Sequence, residues 1–350
     1  MGEVLAWRQM VTDFEHVSKQ GLPMTQTLRL KSALAGTAVR FQLAADFDAQ
    51  PIVVQSLTVN QLPVTVAGKQ TYTVPAHQRI WTDWVTLSVA VAQWLVVTMQ
   101  VDHPAIRTLM STKDTTWIQP EQPYFLGPCA MQVRSNTAVK QLVCFGDSLT
   151  NQGYYSAAFM QQVTRYQPNQ WGLTNGGISG NRLLRDAHST SPWAASFGNA
   201  GLTRLAQLFD SQPVDRLIFM MGLNDLLHPG TGSPMAELPT ATELINGLQQ
   251  VQQLAAKYQV KLWLLTITPF KGAVINGVPA WTVAKEQIRQ AVNQWIVTQP
   301  DIIDVATHVA AQHDDAKLAI PYDCGDHTHF SASGGEQLGC WLYQQIQPML

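Results

Sequence analysis

Apolar and polar residues alternate along the first third of the chain. Val39, Phe41 and Leu43 interleave with Arg40 and Gln42. Val85, Leu87, Val89 and Val91 interleave with Thr86, Ser88 and Ala90, and Leu95, Val97, Met99 and Val101 repeat the pattern. A period of two marks strands half-buried in antiparallel sheets. Turn-forming residues fall between these runs, at Ala35-Gly36, Asp46 to Pro51, Ala67-Gly68 and Val74-Pro75. Short strands punctuated in this way predict a β-sandwich-like domain over residues 1–133, with a short helix near Val4 to Val17 packed on it.

Pro120, Pro123, Gly127 and Pro128 mark a crossing, after which the rhythm changes. Leu142-Val143-Cys144-Phe145, Leu217-Ile218-Phe219-Met220-Met221 and Leu262-Trp263-Leu264-Leu265 are short, continuous apolar runs, and Ile302-Ile303 lies in a weaker fourth. Such runs suit strands covered on both faces. Between them, Leu244, Ile245, Leu248, Val251 and Leu254 share one face of a helix, as do Ile288, Ala291, Val292, Trp295 and Ile296. Strands alternating with helices predict an α/β domain over residues 134–350, built on a parallel sheet with right-handed crossovers.

Composition narrows the partners. Hydrophobic residues make up 46% of the 350, enough for a substantial core. Charged residues are only 13%, against roughly 25% in ordinary globular proteins. The net charge of -2 offers no basic field for nucleic acid or an anionic membrane. No run of about 18 apolar residues is present to span a bilayer. Glu3, Arg8, Asp13, Glu15, His16 and Lys19 interrupt the start, so no secretory leader is read there and a cytoplasmic location is expected. Cys129, Cys144, Cys324 and Cys340 are scattered without CxxC spacing and read as reduced thiols.

Candidate chemistry sits in four blocks, in order along the chain: Gly146-Asp147-Ser148-Leu149-Thr150, Asn175-Gly176-Gly177-Ile178-Ser179-Gly180-Asn181, Gly222-Leu223-Asn224-Asp225 and Asp326-His327-Thr328-His329. The first three follow predicted strands and the fourth lies on a late loop before the last helix. Ligands of an open parallel sheet bind beyond the carboxyl ends of its strands, so all four can meet at one edge. Ser148, on a strand-to-helix turn, offers a hydroxyl nucleophile and a free backbone N–H. Gly180 offers a second N–H where backbone must approach closely, and Asn224 a neutral side-chain donor. Asp326 and His329 supply a carboxylate–imidazole pair, the imidazole taking the Ser148 proton and the carboxylate fixing its tautomer. Asp147 reads as a turn-former. His327, adjacent to Asp326, reads as a solvent-facing loop residue. No Cys/His set with ligand spacing accompanies the last block, so no metal site is assigned.

At these residues the chain resembles the SGNH hydrolases, also called the GDSL lipase/acylhydrolase family, from about Lys140 to the C-terminus. The four blocks stand here as GDSLT, NGGISGN, GLND and DHTH. The resemblance implies a flavodoxin-like three-layer α/β/α fold and cofactor-free hydrolysis of esters or thioesters. It places the nucleophile on Ser148, the oxyanion glycine and asparagine on Gly180 and Asn224, and the Asp/His pair on Asp326 and His329. Many members carry Pro after the histidine, where this chain has Phe330. Thr27 to Val59, Thr73 to Val101 and Ile178 to Phe197 are similar to a GDSL subgroup with a leading β-domain. Members of that subgroup are often secreted, and some are assigned to acetylated carbohydrate.

The expected activity is that of a serine esterase acting through an acyl-enzyme on small-molecule esters of short acyl groups, acetyl first. Acetylated carbohydrate is one candidate substrate, because Trp193 and Trp281 sit in long insertions and could stack on a sugar or merely anchor their loops. A thioesterase or lysophospholipase is the alternative enzyme, and a sugar-binding β-domain on an inactive α/β domain is the alternative of another class. No oligomeric state follows from the sequence.

Overall fold

The computed structural model describes residues 2–350. By internal contacts the chain divides into two units, one running to Gln141 and including Met160–Asn175, the other formed by Leu142–Phe159 and Gly176–Leu350.

The first unit is strand-rich. One of its sheets pairs Gly2–Gln9 antiparallel with Ala130–Ser135, which pairs in turn with Gly36–Ala44, and Arg79–Trp81 and Val85–Val89 both pair with Gly36–Ala44. A second sheet orders Ile118–Pro120, Thr25–Lys31, Trp94–Val101, Ile52–Val59 and Leu62–Pro63. The alternation read from the sequence is visible in its burial: Leu95, Val97, Met99 and Val101 are buried while Val96 and Gln100 are exposed. Two antiparallel sheets with buried apolar faces are the sandwich-like arrangement expected.

The helix expected near Val4 to Val17 does not form. Gly2–Gln9 is a strand, Thr12–Asp13 a two-residue strand, and only Glu15–Ser18 is helical. Leu5 through Gln9 are all buried, because this strand is flanked on one side by Ala130–Ser135 and on the other by Trp171–Gly177, which runs parallel to it with Trp7 opposite Leu173. A strand enclosed in this way loses the polar alternation that would identify it.

The second unit carries the parallel sheet. Lys140–Gly146 pairs with Arg216–Met220, that strand with Lys261–Leu265, and that one with Ile302–Ile303, all in parallel. The apolar runs are its buried core: Phe145 and Phe219 stack with ring centres 5.6 Å apart, and Trp263 is fully buried. Crossover helices include Gly201–Ser211, Ala241–Lys257 and Val283–Ile296. Thr240 and Glu243 start the second of these with a reciprocal capping box. The last helix, Ala332–Ile346, approaches the Tyr154–Tyr166 helix closely, since a Cβ on Gly339 would lie 2.3 Å from the Tyr155 carbonyl oxygen. No helix among the described residues is long and apolar enough to cross a membrane.

Candidate active site

The block that carries Ser148 begins where the Lys140–Gly146 strand ends. Asp147 caps the four-residue helix Ser148–Asn151, its Oδ1 accepting the Leu149 N–H at 3.0 Å. Ser148 therefore opens a helix, with its backbone N–H outside the helical ladder. Asp147 is buried, and burial pushes its carboxyl up to about 6, against the pull of the Leu149 N–H and of His329. Its part is local, as the turn-former reading expected.

Ser148 Oγ lies 2.9 Å from His329 Nε2, and His329 Nδ1 lies 2.7 Å from Asp326 Oδ2. The other Asp326 oxygen accepts the backbone N–H groups of Thr328 at 2.9 Å and His329 at 2.8 Å. Burial opposes the Asp326 charge, but the ring and backbone donors from His329, with Thr328, hold the carboxyl below the ordinary carboxylate range. An ionised Asp326 requires the proton on Nδ1, which leaves Nε2 free to accept from the serine.

His327 faces elsewhere. Its Nδ1 lies 2.7 Å from Asp323 Oδ2, and its ring packs against Gly272, where an added Cβ would stand 2.8 Å from Cδ2. Asp323, Cys324 and Asp326 are the one cluster of metal-ligand type among the described residues. Both of its carboxylates are already engaged, Asp323 by His327 and the Gly325 N–H, Asp326 by His329.

Phe330, which follows His329, is buried and meets the Tyr155 ring edge-on at 6.5 Å. The Tyr155 hydroxyl shares a hydrogen bond of 2.6 Å with Thr150 Oγ1. The residue after His329 thus braces the Asp326–His329 loop on the Ser148–Asn151 segment by packing. Ser331 then caps the last helix through the Gly334 N–H.

The second and third blocks close on the first. Ile178 N–H donates to the Gly146 carbonyl at 3.1 Å, Ser179 Oγ to Asn151 Oδ1 at 3.0 Å, and Asn151 Nδ2 to the Gly177 carbonyl at 3.3 Å. Gly180 has φ +74°, and a Cβ there would meet Phe197 Cδ1 at 2.2 Å, so glycine is required twice over. Asn224 is buried and donates one amide hydrogen to the Asn181 carbonyl at 3.1 Å, leaving its second hydrogen for another acceptor.

Sequence reasoning gave Asp225 and Asn181 no task. Asp225 Oδ2 and Oδ1 accept the backbone N–H groups of Leu183 at 2.7 Å and Leu184 at 3.0 Å, and burial pushes its carboxyl up to about 6. Asn181 Nδ2 donates at 2.6 Å to the carbonyls of both Phe197 and Asn199, locking the loop that carries Phe197. Both residues lie inside the quoted blocks; the signal was their position, and only the fold supplies the partners. Trp281 and Trp193 are half-buried, and the Trp281 indole N–H donates to Glu286 at 3.2 Å.

Among solved structures, the native M. smegmatis aryl esterase is 17% identical, with a TM-score of 0.46 over 61% of this chain and 100% of that one. Est24, a carbohydrate acetylesterase from Sinorhizobium meliloti, is 16% identical, with a TM-score of 0.43 over 60% of this chain and 100% of that one. The acetyl xylan esterase AlAXEase is 17% identical, with a TM-score of 0.39 over 59% of this chain and 99% of that one. A comparison with curated proteins finds no match. The GDSL-like Lipase/Acylhydrolase family model matches residues 144–336, more than half of the chain and the whole span from Ser148 to His329, and the chain belongs to that family.

Proposed function

We propose that this chain is a serine esterase that removes short acyl groups, acetyl first, from small-molecule esters. The observation that carries the reading is the unbroken hydrogen-bond path from Ser148 Oγ through the His329 ring to Asp326. His329 Nε2 takes the Ser148 proton as Oγ attacks the ester carbonyl. The Ser148 and Gly180 backbone N–H groups and the Asn224 amide then receive the developing oxyanion. Collapse of the tetrahedral intermediate breaks the bond to the alcohol, which leaves with the proton from His329, and an acyl-Ser148 ester remains. Water, deprotonated by His329, hydrolyses that ester and regenerates the serine. Asp326 orients the ring and stabilises its cationic form.

The Phe197 ring held against Gly180 supports a short acyl group, because it places fixed bulk beside an oxyanion donor. Acetylated carbohydrate is retained as the first alcohol class to screen. The decisive experiment compares p-nitrophenyl acetate turnover by the wild type and by Ser148→Ala. A loss of about 10³-fold or more in a folded variant is expected, and equal turnover would overturn the reading. A series of acyl lengths and thioesters then separates a short-chain esterase from a thioesterase or lysophospholipase.

A further inference from the structure

Arg204 is a buried cation that the proposed chemistry leaves unused. It lies on the Gly201–Ser211 helix and is buried, 9% exposed. Nη2 donates to the Gly146 carbonyl at 3.1 Å, Nη1 to the Gly176 carbonyl at 3.2 Å, and Nε to Asn181 Oδ1 at 3.0 Å. The guanidinium also lies over the Phe145 ring, 4.4 Å from its centre. All three acceptors are neutral; no carboxylate forms an ion pair with it among the described residues, and the buried Asp147 attracts it only from longer range. Burying a cation on neutral acceptors alone is costly. Here the fold carries that cost beside the proposed nucleophile and oxyanion segments.

The acceptors identify the place. Gly146 lies two residues before Ser148, Gly176 lies near the end of the strand Trp171–Gly177 that leads to Gly180, and Asn181 follows Gly180 and presents its carbonyl to Asn224. One planar fork therefore holds the backbone at Gly146 and Gly176 and the Asn181 side chain, around the proposed nucleophile and oxyanion donors. Its five N–H groups in fixed directions fix relative positions in a way that a single ammonium cannot. Oxyanion stabilisation depends on donors set in place before charge develops, so a shift in these segments acts on the transition state more than on substrate binding.

We propose that Arg204 is a positioning residue for ester hydrolysis, holding the Gly146, Gly176 and Asn181 segments in the register that aims the Ser148 and Gly180 N–H groups and the Asn224 amide at the oxyanion. The proposal rests on the serine-esterase reading above.

The test uses the full chain with Arg204→Lys, Arg204→Met and Arg204→Ala, p-nitrophenyl acetate as substrate, and circular dichroism to establish folding. Lys keeps a charge but loses the fork. The expected result is a fall of about 100-fold in kcat for Lys and Met alike, with KM changed by less than about 2-fold. Added methylguanidinium is expected to return part of the lost kcat to Arg204→Ala and none to Arg204→Lys. Wild-type kcat in a folded Met variant would overturn the proposal. So would wild-type kcat in the Lys variant, since charge alone would then suffice, or a loss carried entirely by KM. If Met and Ala fail to fold, the Lys comparison decides. Failure of the underlying reading looks different: the wild type itself would then show no ester turnover dependent on Ser148.

Discussion

His329 Nε2 stands 2.9 Å from Ser148 Oγ, although 181 positions separate the two residues in the chain. Groups that act as one unit in a proton transfer lose their effect together. His329→Ala is therefore expected to lower kcat for p-nitrophenyl acetate about as far as Ser148→Ala, by roughly 10³-fold or more. The double variant should lose little beyond either single one. Multiplied losses in the double variant would show that the two side chains work separately.

The Asp326 carboxyl, held down by the His329 ring and by two backbone N–H groups, remains ionised below the usual carboxylate range. A folded-state value below the unfolded one stabilises the fold above about pH 4, and that contribution fades as pH falls through the folded value. The stability gap between wild type and Asp326→Asn should thus be constant from neutrality to about pH 5 and shrink only in stronger acid. The side chain is 49% exposed, so the gap should be modest. The rate should fall much further, by about 10²- to 10⁴-fold at pH 7, because the wrong tautomer would turn a donor toward Ser148. Urea titrations at several pH values and a single kcat determination check both halves.

Gly180 combines φ +74° with a Phe197 ring 2.2 Å from where a Cβ would stand. Gly180→Ala should cost more than about 1 kcal/mol of stability and most of the ester turnover. Adding Phe197→Ala removes the clash but leaves the backbone strain, so the double variant should recover stability in part. Full recovery would assign the whole penalty to the ring, and none would assign it to φ.

Burial, aided by Arg182 and Lys285, pushes His228 down to about 4, and it is only 8% exposed. The unfolded chain accepts a proton there near pH 6.5 while the folded chain refuses it, so this residue makes stability fall as pH drops from about 6.5 to 4. The size is on the order of 3 kcal/mol. Asp147 and Asp225, both pushed up to about 6, act in the opposite sense between about pH 4 and 6, since the folded chain protonates them first. The wild-type curve sums these effects; subtracting a His228→Gln curve isolates the histidine. A difference independent of pH would contradict its neutral burial.

The candidate site was legible because its chemistry clusters in short blocks: Ser148, Gly180 and Asn224 each follow a strand read from the sequence, and Asp326 and His329 share one late loop. The parallel strands were equally plain, since Leu142–Phe145 and Leu217–Met221 are apolar throughout. The strand Gly2–Gln9 was not, because its pairing with Trp171–Gly177 comes from a segment far along the chain and hides its polar period. Arg204 was invisible for another reason. On an amphipathic helix an arginine ordinarily reads as solvent-facing, and only the carbonyls of Gly146 and Gly176 turn it into a buried fork.

Asp326 and His329 occupy a single turn, and each contact that defines their pair is made within four consecutive residues. Carboxylate and imidazole therefore move as one piece with this turn. Within this pair, misalignment enters mainly at the gap to the serine hydroxyl, which the seating of Phe330 against Tyr155 helps to hold.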